Sequence, residues 1–405
     1  MSNGPLDGIR VIDFCWVGAG PYATKMLADL GADVIKVESA VKPDGLRLSP
    51  PFAGGQIGVN RSGYFSDRNT SKRSVAINMN TAEGKRLAQQ LVAGCDVVAN
   101  SFTPGVMARF GLSYDEVRAS NPQLIYLAMS MQGDSGPERD YLGYGMTISA
   151  LVGIHHLSAL PGKLPVGTGT NYPDHIPNPC HAVFAVLAAL RHRRRTGEGQ
   201  YIDIAQTEST IAVLAPALVE YEANGHDREP IGNRHERFAP HGVYACAGKD
   251  RWIAIAVTDD AQYPDLVTAL GLPTDVVPRD ADEAYRRAAA DYLDEAIGSR
   301  TRDRDADELM HLLQARGIPA GVVHDAQGVI ELDEQLTARG HWVRLVHAEM
   351  GETIYNAWPF RLSTTSTDLR APAPLLGEHT EEICRDVLGI DEDRIESLVR
   401  AGVLT

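Results

Sequence analysis

Ile9-Arg10-Val11-Ile12-Asp13-Phe14, Gly18-Ala19-Gly20-Pro21 and Asp33-Val34-Ile35-Lys36-Val37 form the stretch whose reading decides the fold. The first run is apolar and β-branched, the composition of a buried strand. The glycines make a turn, and Pro21 suits a first helical position, where a missing N–H costs nothing. Tyr22 to Leu30 then carries apolar residues at helical spacing, and Gly31 closes the segment. Asp33 to Val37 is a second strand, so the stretch is a βαβ unit.

The pattern continues outward. Ser74 to Ile77 reads as a strand, Thr81 to Val92 as a helix and Asp96 to Ala99 as a strand. Val106 to Phe110 and Tyr114 to Ala119 read as short helices before the strand Leu124 to Met129. Strands alternating with helices predict an α/β protein with a doubly wound, mostly parallel, Rossmann-like sheet. A long helix is expected over His181 to Arg195, and after Gln200 the texture changes. A turn-rich segment (Gly232-Asn233-Arg234-His235), a strand at Trp252 to Val257 and acidic amphipathic helices suggest a smaller α+β domain. The predicted domains are residues 1–224, the first part of the large domain; 225–335, the small domain; and 336–405, a return to the large one.

Composition bounds the function. At 405 residues the chain exceeds one typical core, and 44% hydrophobic with 22% charged residues is the profile of a globular protein. A formal charge of −15 argues against nucleic-acid partners, which need a basic face. No stretch reaches membrane-spanning length, and Met1-Ser2-Asn3-Gly4-Pro5 lacks the regions of a secretory leader. The five cysteines are scattered and never in CxxC spacing, which predicts a reducing cytoplasm and no metal site.

Several motifs carry competing chemistry. Gly18-x-Gly20-x-x-Ala23 between strand and helix, with Glu38 after the next strand, matches a dinucleotide fingerprint. An NAD-dependent dehydrogenase would also need a proton donor or a metal set. His155, His156, His175 and His181 form no such cluster, so the turn is read as close backbone approach to another ligand. The run Arg191-His192-Arg193-Arg194-Arg195 before Gly197 reads as ordinary helix termination. Cys180 and His181 are adjacent near a helix start, point apart and make no dyad. Asp174, in Asn171-Tyr172-Pro173-Asp174-His175-Ile176-Pro177-Asn178-Pro179, is open to two readings. It is a helix N-cap, or a positioned carboxylate for acyl transfer.

Three blocks bear on that choice. Pro5-Leu6-Asp7-Gly8-Ile9-Arg10-Val11-Ile12-Asp13-Phe14 leads into the glycine turn and Leu30-Gly31-Ala32-Asp33-Val34-Ile35-Lys36-Val37-Glu38. Lys72-Arg73-Ser74 and Asn78-Met79-Asn80-Thr81-Ala82-Glu83-Gly84 precede Ser101-Phe102-Thr103-Pro104-Gly105-Val106-Met107-Ala108-Arg109-Phe110-Gly111-Leu112. Asp174 is followed by Leu187-Ala188-Ala189-Leu190 and Arg195-Thr196-Gly197-Glu198-Gly199-Gln200. Together they resemble the class III CoA-transferases, the family of formyl-CoA and carnitine CoA-transferases and of α-methylacyl-CoA racemase. The resemblance runs from about Leu6 to Gly402, through Gly317-Ile318-Pro319-Ala320 and Leu376-Gly377-Glu378-His379-Thr380.

The resemblance implies a large domain built from both chain ends and two subunits interlocked like chain links. A homodimer is expected, with a hetero-subunit enzyme as the alternative. No tightly bound cofactor is expected; the substrates would be CoA thioesters and free carboxylic acids. By position, Val17, Gly18, Ser101 and Phe102 would line the CoA site. Arg109 would reach a CoA phosphate, and Ile77 to Asn80 would flank the adenosine. Ser39 and Asn80 depart from basic residues common among relatives, so phosphate contacts differ here. Asp174 matches the nucleophile of a ping-pong reaction through an acyl–aspartyl anhydride and an aspartyl–CoA thioester. Gly232 to His235 stands in for a closing glycine-rich loop, with Arg234 the candidate for a substrate carboxylate.

The family's racemases pair a His with an Asp. Here the corresponding residue in Gly143-Tyr144-Gly145-Met146 is Tyr144, whose ordinary pKa of about 10 makes a poor base. Tyr144 and Gly145 are therefore read as substrate-binding, and transfer is preferred over α-carbon racemisation. Retention of Asp174 argues against a non-catalytic partner subunit. The donor expected is succinyl-CoA, and the acceptor a bulkier dicarboxylic acid.

Overall fold

Six short strands pair in parallel in the order β3-β2-β1-β4-β5-β6. They are β1 (Arg10–Asp13), β2 (Asp33–Glu38), β3 (Arg73–Ala76), β4 (Val97–Asn100), β5 (Ile125–Ala128) and β6 (Gln200–Asp203). This computed structural model describes residues 4–405; Met1 to Asn3, part of the stretch read above for a leader, lie outside the described residues. The order is that of a doubly wound sheet, as expected from the alternating pattern. The helices that follow are α1 (Ala19–Asp29), α2 (Gly63–Arg68), α3 (Ala82–Ala93), α4 (Tyr114–Ser120), α5 (Gly145–Leu151), α6 (Ile154–Leu157), α7 (Tyr172–His175) and α8 (Pro177–Thr196); α1 and α8 cover one face of the sheet, α3 and α4 the other.

The apolar runs are continuous because both faces are buried. Successive residues of a strand face opposite sides. Ile12, Ile35, Val75 and Val98 meet Leu87 and Leu91 of α3 in one core, joined by Ile383 and Leu398 from the chain's end. Val11, Val34, Val97 and Ile125 meet Ala23 and Leu27 of α1 and Val186 and Ala189 of α8 in the other.

Details differ from the sequence reading. Helix α1 begins at Ala19, so Pro21 is its third residue, not its first. The first four N–H groups of a helix lack partners anyway, which is why proline fits there too. By the same logic α8 opens at Pro177, ahead of the expected His181, and takes Pro179 into its first turn. Val106 to Phe110 shortens to a 3-10 turn at Met107–Phe110, closed by Gly111 with φ 70°. Strand β6 was not anticipated: only Ile202 of its four residues is buried, too weak a period to read.

By compactness the chain divides into two units. One runs to His155 and adds Gly167–Arg228 and Gly340–Thr405; the other holds His156–Val166 and Glu229–Arg339. The first also contains α9 (Gln206–Ile211) and α10 (Ala215–Asn224). The second is an antiparallel sheet of β7 (His241–Ala245), β8 (Trp252–Ala256) and β9 (Ala320–Val323). Its core sets Ile253 and Ile255 against Tyr263, Leu266, Ile297 and Leu309.

Candidate active site

A doubly wound sheet leaves a crevice where neighbouring strands send their chains to opposite faces. Here β1 and β4 are those neighbours, and the loops after them are tied together. Ser101 Oγ accepts from the Trp16 N–H and donates to the Trp16 carbonyl, both at 3.0 Å. The Trp16 and Phe102 rings meet edge to face, 5.4 Å apart. A cavity of about 200 Å³ opens there, and Val17, Gly18, Ser101, Phe102, Tyr144 and Asp174 all line it. Trp16, Thr103 and Gln206, which the sequence did not single out, line it as well.

Asp174 caps no helix. It sits inside α7, whose N-cap is Asn171, and is only 4% exposed. Burial pushes its carboxyl from the ordinary 3.8 up to about 6, while the Arg68 charge and the Gly145 N–H, which hydrogen-bonds it, pull the other way. Backbone crowds the carboxylate on two sides. A methyl group added at Gly18 would overlap Oδ2, and one at Gly145 would lie 2.9 Å from it. Only glycine lets the chain come so close.

Near Asp174 lies a cation that no local pattern pointed to. Arg68 is fully buried, with its guanidinium 4.4 Å over the Tyr22 ring. Its Nη2 lies 2.6 and 2.7 Å from the ring nitrogens of His175. Burial first, then Arg68, hold His175 down at about 4, so a neutral imidazole accepts a hydrogen bond from the guanidinium. Arg68 lies in the polar run Asp67-Arg68-Asn69-Thr70, where no period marks one residue as turned inward.

The other predicted residues are dispersed. Ile77 is fully buried in the sheet core, and Asn80 is exposed at the end of the same segment. Phe102 and Thr103 also line a second cavity of about 310 Å³ that continues along Pro104, Gly105 and Ala108. Arg109 follows next in the chain and is exposed. In the smaller unit, Arg234 is paired with Asp291 at 2.6 Å and Asp294 at 2.7 Å. Glu38, the acid of the dinucleotide fingerprint, is fully engaged: Arg47 grips it through two hydrogen bonds of 2.8 and 2.7 Å, and Ser74 donates a third. Nothing of it is left for a ribose.

Chemically, the site offers a carboxylate shielded from water, close backbone and an open cavity on one side. The chain as a whole is similar to proteins of one family. Residues 6–380 match CoA-transferase family III. The chain is 33% identical to a succinyl-CoA–D-citramalate CoA-transferase of Chloroflexus aurantiacus, across 99% of this chain and 98% of that one. It is 34% identical to a succinate–glutarate CoA-transferase of Agrobacterium fabrum, across 96% of both. Its fold matches the crystal structure of a CaiB/BaiF family protein from Brucella suis with a TM-score of 0.87 and 34% identity, over 95% of this chain and all of that one. The resemblance carried by the glycine turn and its companion blocks thus holds, and the chain belongs to CoA-transferase family III.

Proposed function

We propose that this CoA-transferase moves CoA from succinyl-CoA to a second, bulkier dicarboxylic acid, with Asp174 as the nucleophile. The observation that carries the reading is a carboxylate 4% exposed, set against Gly18 and Gly145 at the wall of a cavity. An Asp174 oxygen attacks the thioester carbonyl, the C–S bond breaks, and CoA leaves as thiolate with the acyl group held as an anhydride. The thiolate then attacks the Asp174 carbonyl carbon, releasing the donor acid and leaving an aspartyl–CoA thioester. The acceptor carboxylate attacks that thioester, giving a new anhydride and thiolate. Attack of the thiolate on the acceptor's acyl carbon delivers the product and restores Asp174. Burial serves each step, because water would hydrolyse both intermediates. A carboxyl titrating at about 6 is still mostly ionised at pH 7 and is a better nucleophile than an ordinary one.

The substrate assignment is supported by relatives named for succinyl-CoA with citramalate and for succinate with glutarate. Arg109, exposed beyond the second cavity, suits a CoA phosphate, where a guanidinium fork fits the geometry. A homodimer is supported by α10, none of whose residues is buried although Leu218, Val219 and Tyr221 are apolar or aromatic. Five free thiols suit a reducing compartment such as the cytoplasm.

The test is an incubation in deuterium oxide with a panel of acyl-CoA thioesters and free acids, read by mass spectrometry. New acyl-CoA species without α-deuterium are expected, with succinyl-CoA the best donor. Deuterium entering an unchanged acyl-CoA would mean α-proton chemistry and would overturn the reading.

A further inference from the structure

The turn that carries Gly18 is strained, and charged groups outside the cavity hold it in place. Val17 has φ 63°, in the left-handed region that a β-branched residue rarely enters. Its side chain packs on the cluster of Leu46, Phe65 and Ala373. Its N–H donates to Asp44 Oδ1 at 3.0 Å, and the Leu46 N–H donates to the same oxygen at 3.0 Å. Asp44 is fully buried and lines no part of the cavity. Its other oxygen lies 3.0 Å from Lys36 Nζ, which also donates to the Cys15 carbonyl at 2.6 Å. With Ser101 holding both polar groups of Trp16, the backbone from Cys15 to Val17 is fixed at every residue.

Strain of this kind persists only where the surroundings enforce it, and it clusters at functional sites. The geometry points to Asp44 as a positioning residue for transfer: its carboxylate, balanced by Lys36, keeps Val17 left-handed and so sets Gly18 against Asp174. Without that acceptor, Val17 relaxes to negative φ and the direction of the chain at Gly18 changes. A glycine at position 17 would keep the turn without help, since it has no side chain to strain. The inference rests on Asp174 being the nucleophile.

The test compares Asp44→Ala with Asp44→Ala/Val17→Gly. Asp44→Ala should lose kcat on the order of 100-fold, the cost of misplacing reacting groups by about an ångström. The double variant should recover at least about tenfold of that loss without regaining melting temperature, because Lys36 stays buried without the Asp44 carboxylate. A purely structural Asp44 would show no such split. Should Asp44→Ala not fold, Asp44→Asn carries the same comparison. There a neutral oxygen replaces the charged acceptor, with a loss of about tenfold expected and the same rescue. Hydroxylamine trapping in the wild-type enzyme separates the two claims. Turnover with no adduct at Asp174 refutes the nucleophile reading. Trapping at Asp174, with an Asp44→Ala kcat equal to wild type or a double variant no faster than its parent, refutes the role of Asp44 alone.

Discussion

Asp13 and Asp174 are two buried carboxylates with opposite fates. Asp13, at the end of β1, is fully enclosed, yet its carboxyl is held below the ordinary range: burial opposes ionisation, but Lys72 and Lys36 outweigh it. Lys72 Nζ sits 2.9 Å from Asp13 Oδ2, and Thr24 and the Cys15 N–H supply further hydrogen bonds. Asp174 is nearly as enclosed, but among the described residues only the Arg68 charge and the Gly145 N–H oppose burial, and its carboxyl rises to about 6. Burial alone therefore does not make a reactive group. The pairing decides: Asp13 uses its charge to hold the sheet end together, whereas in the proposed function Asp174 keeps its charge for an incoming carbonyl.

The contrast can be broken from either side. The largest effect expected is on turnover: Asp174→Asn should reduce CoA transfer by on the order of 10⁴-fold, the scale for removing a nucleophile. Activity within tenfold of wild type would end the comparison. Asp13→Asn should act on the fold instead, leaving Lys72 buried beside a neutral amide and lowering stability by about 3–5 kcal/mol in denaturant titration. Gly18→Ala comes next, since its methyl overlaps Asp174 Oδ2. Steady-state kinetics should show kcat down by roughly 100-fold with the fold intact by circular dichroism.

Linkage gives a further prediction, with opposite signs at the two sites. A raised carboxyl costs stability as pH climbs from 3.8 through about 6, so Asp174→Asn should be more stable than wild type at pH 8. The gain should be about 2–3 kcal/mol and vanish as pH falls below the unfolded value. Asp13, whose carboxyl is lowered, contributes stability above the ordinary value that is lost in acid. The smallest effect is on the pH profile. The acid limb of kcat/KM should fall near 6, and Arg68→Met should move it upward by about one pH unit; a limb that does not move would remove Arg68 from the electrostatics of Asp174.

The sheet was legible because its strands are buried on both faces and so read as continuous apolar runs, Val11-Ile12 and Val97-Val98-Ala99 among them. Asp174 was legible only through its company. A lone aspartate near prolines reads as a cap, and the glycine turn and Ser101-Phe102 block supply the context that changes this. Arg68 and Asp44 were not legible, since charged residues at helix ends and in loops are usually solvated and nothing local marks these two as turned inward. Nor could Val17 be foreseen as the left-handed residue of a turn containing two glycines. That conformation is imposed by Asp44, 27 residues away in the chain.

The most direct test of the account is to trap the covalent enzyme. Wild-type protein incubated with succinyl-CoA, quenched with hydroxylamine and digested should yield a hydroxamate on the peptide containing Asp174 and nowhere else. Turnover with an unmodified Asp174, or a hydroxamate on another carboxylate, would contradict it.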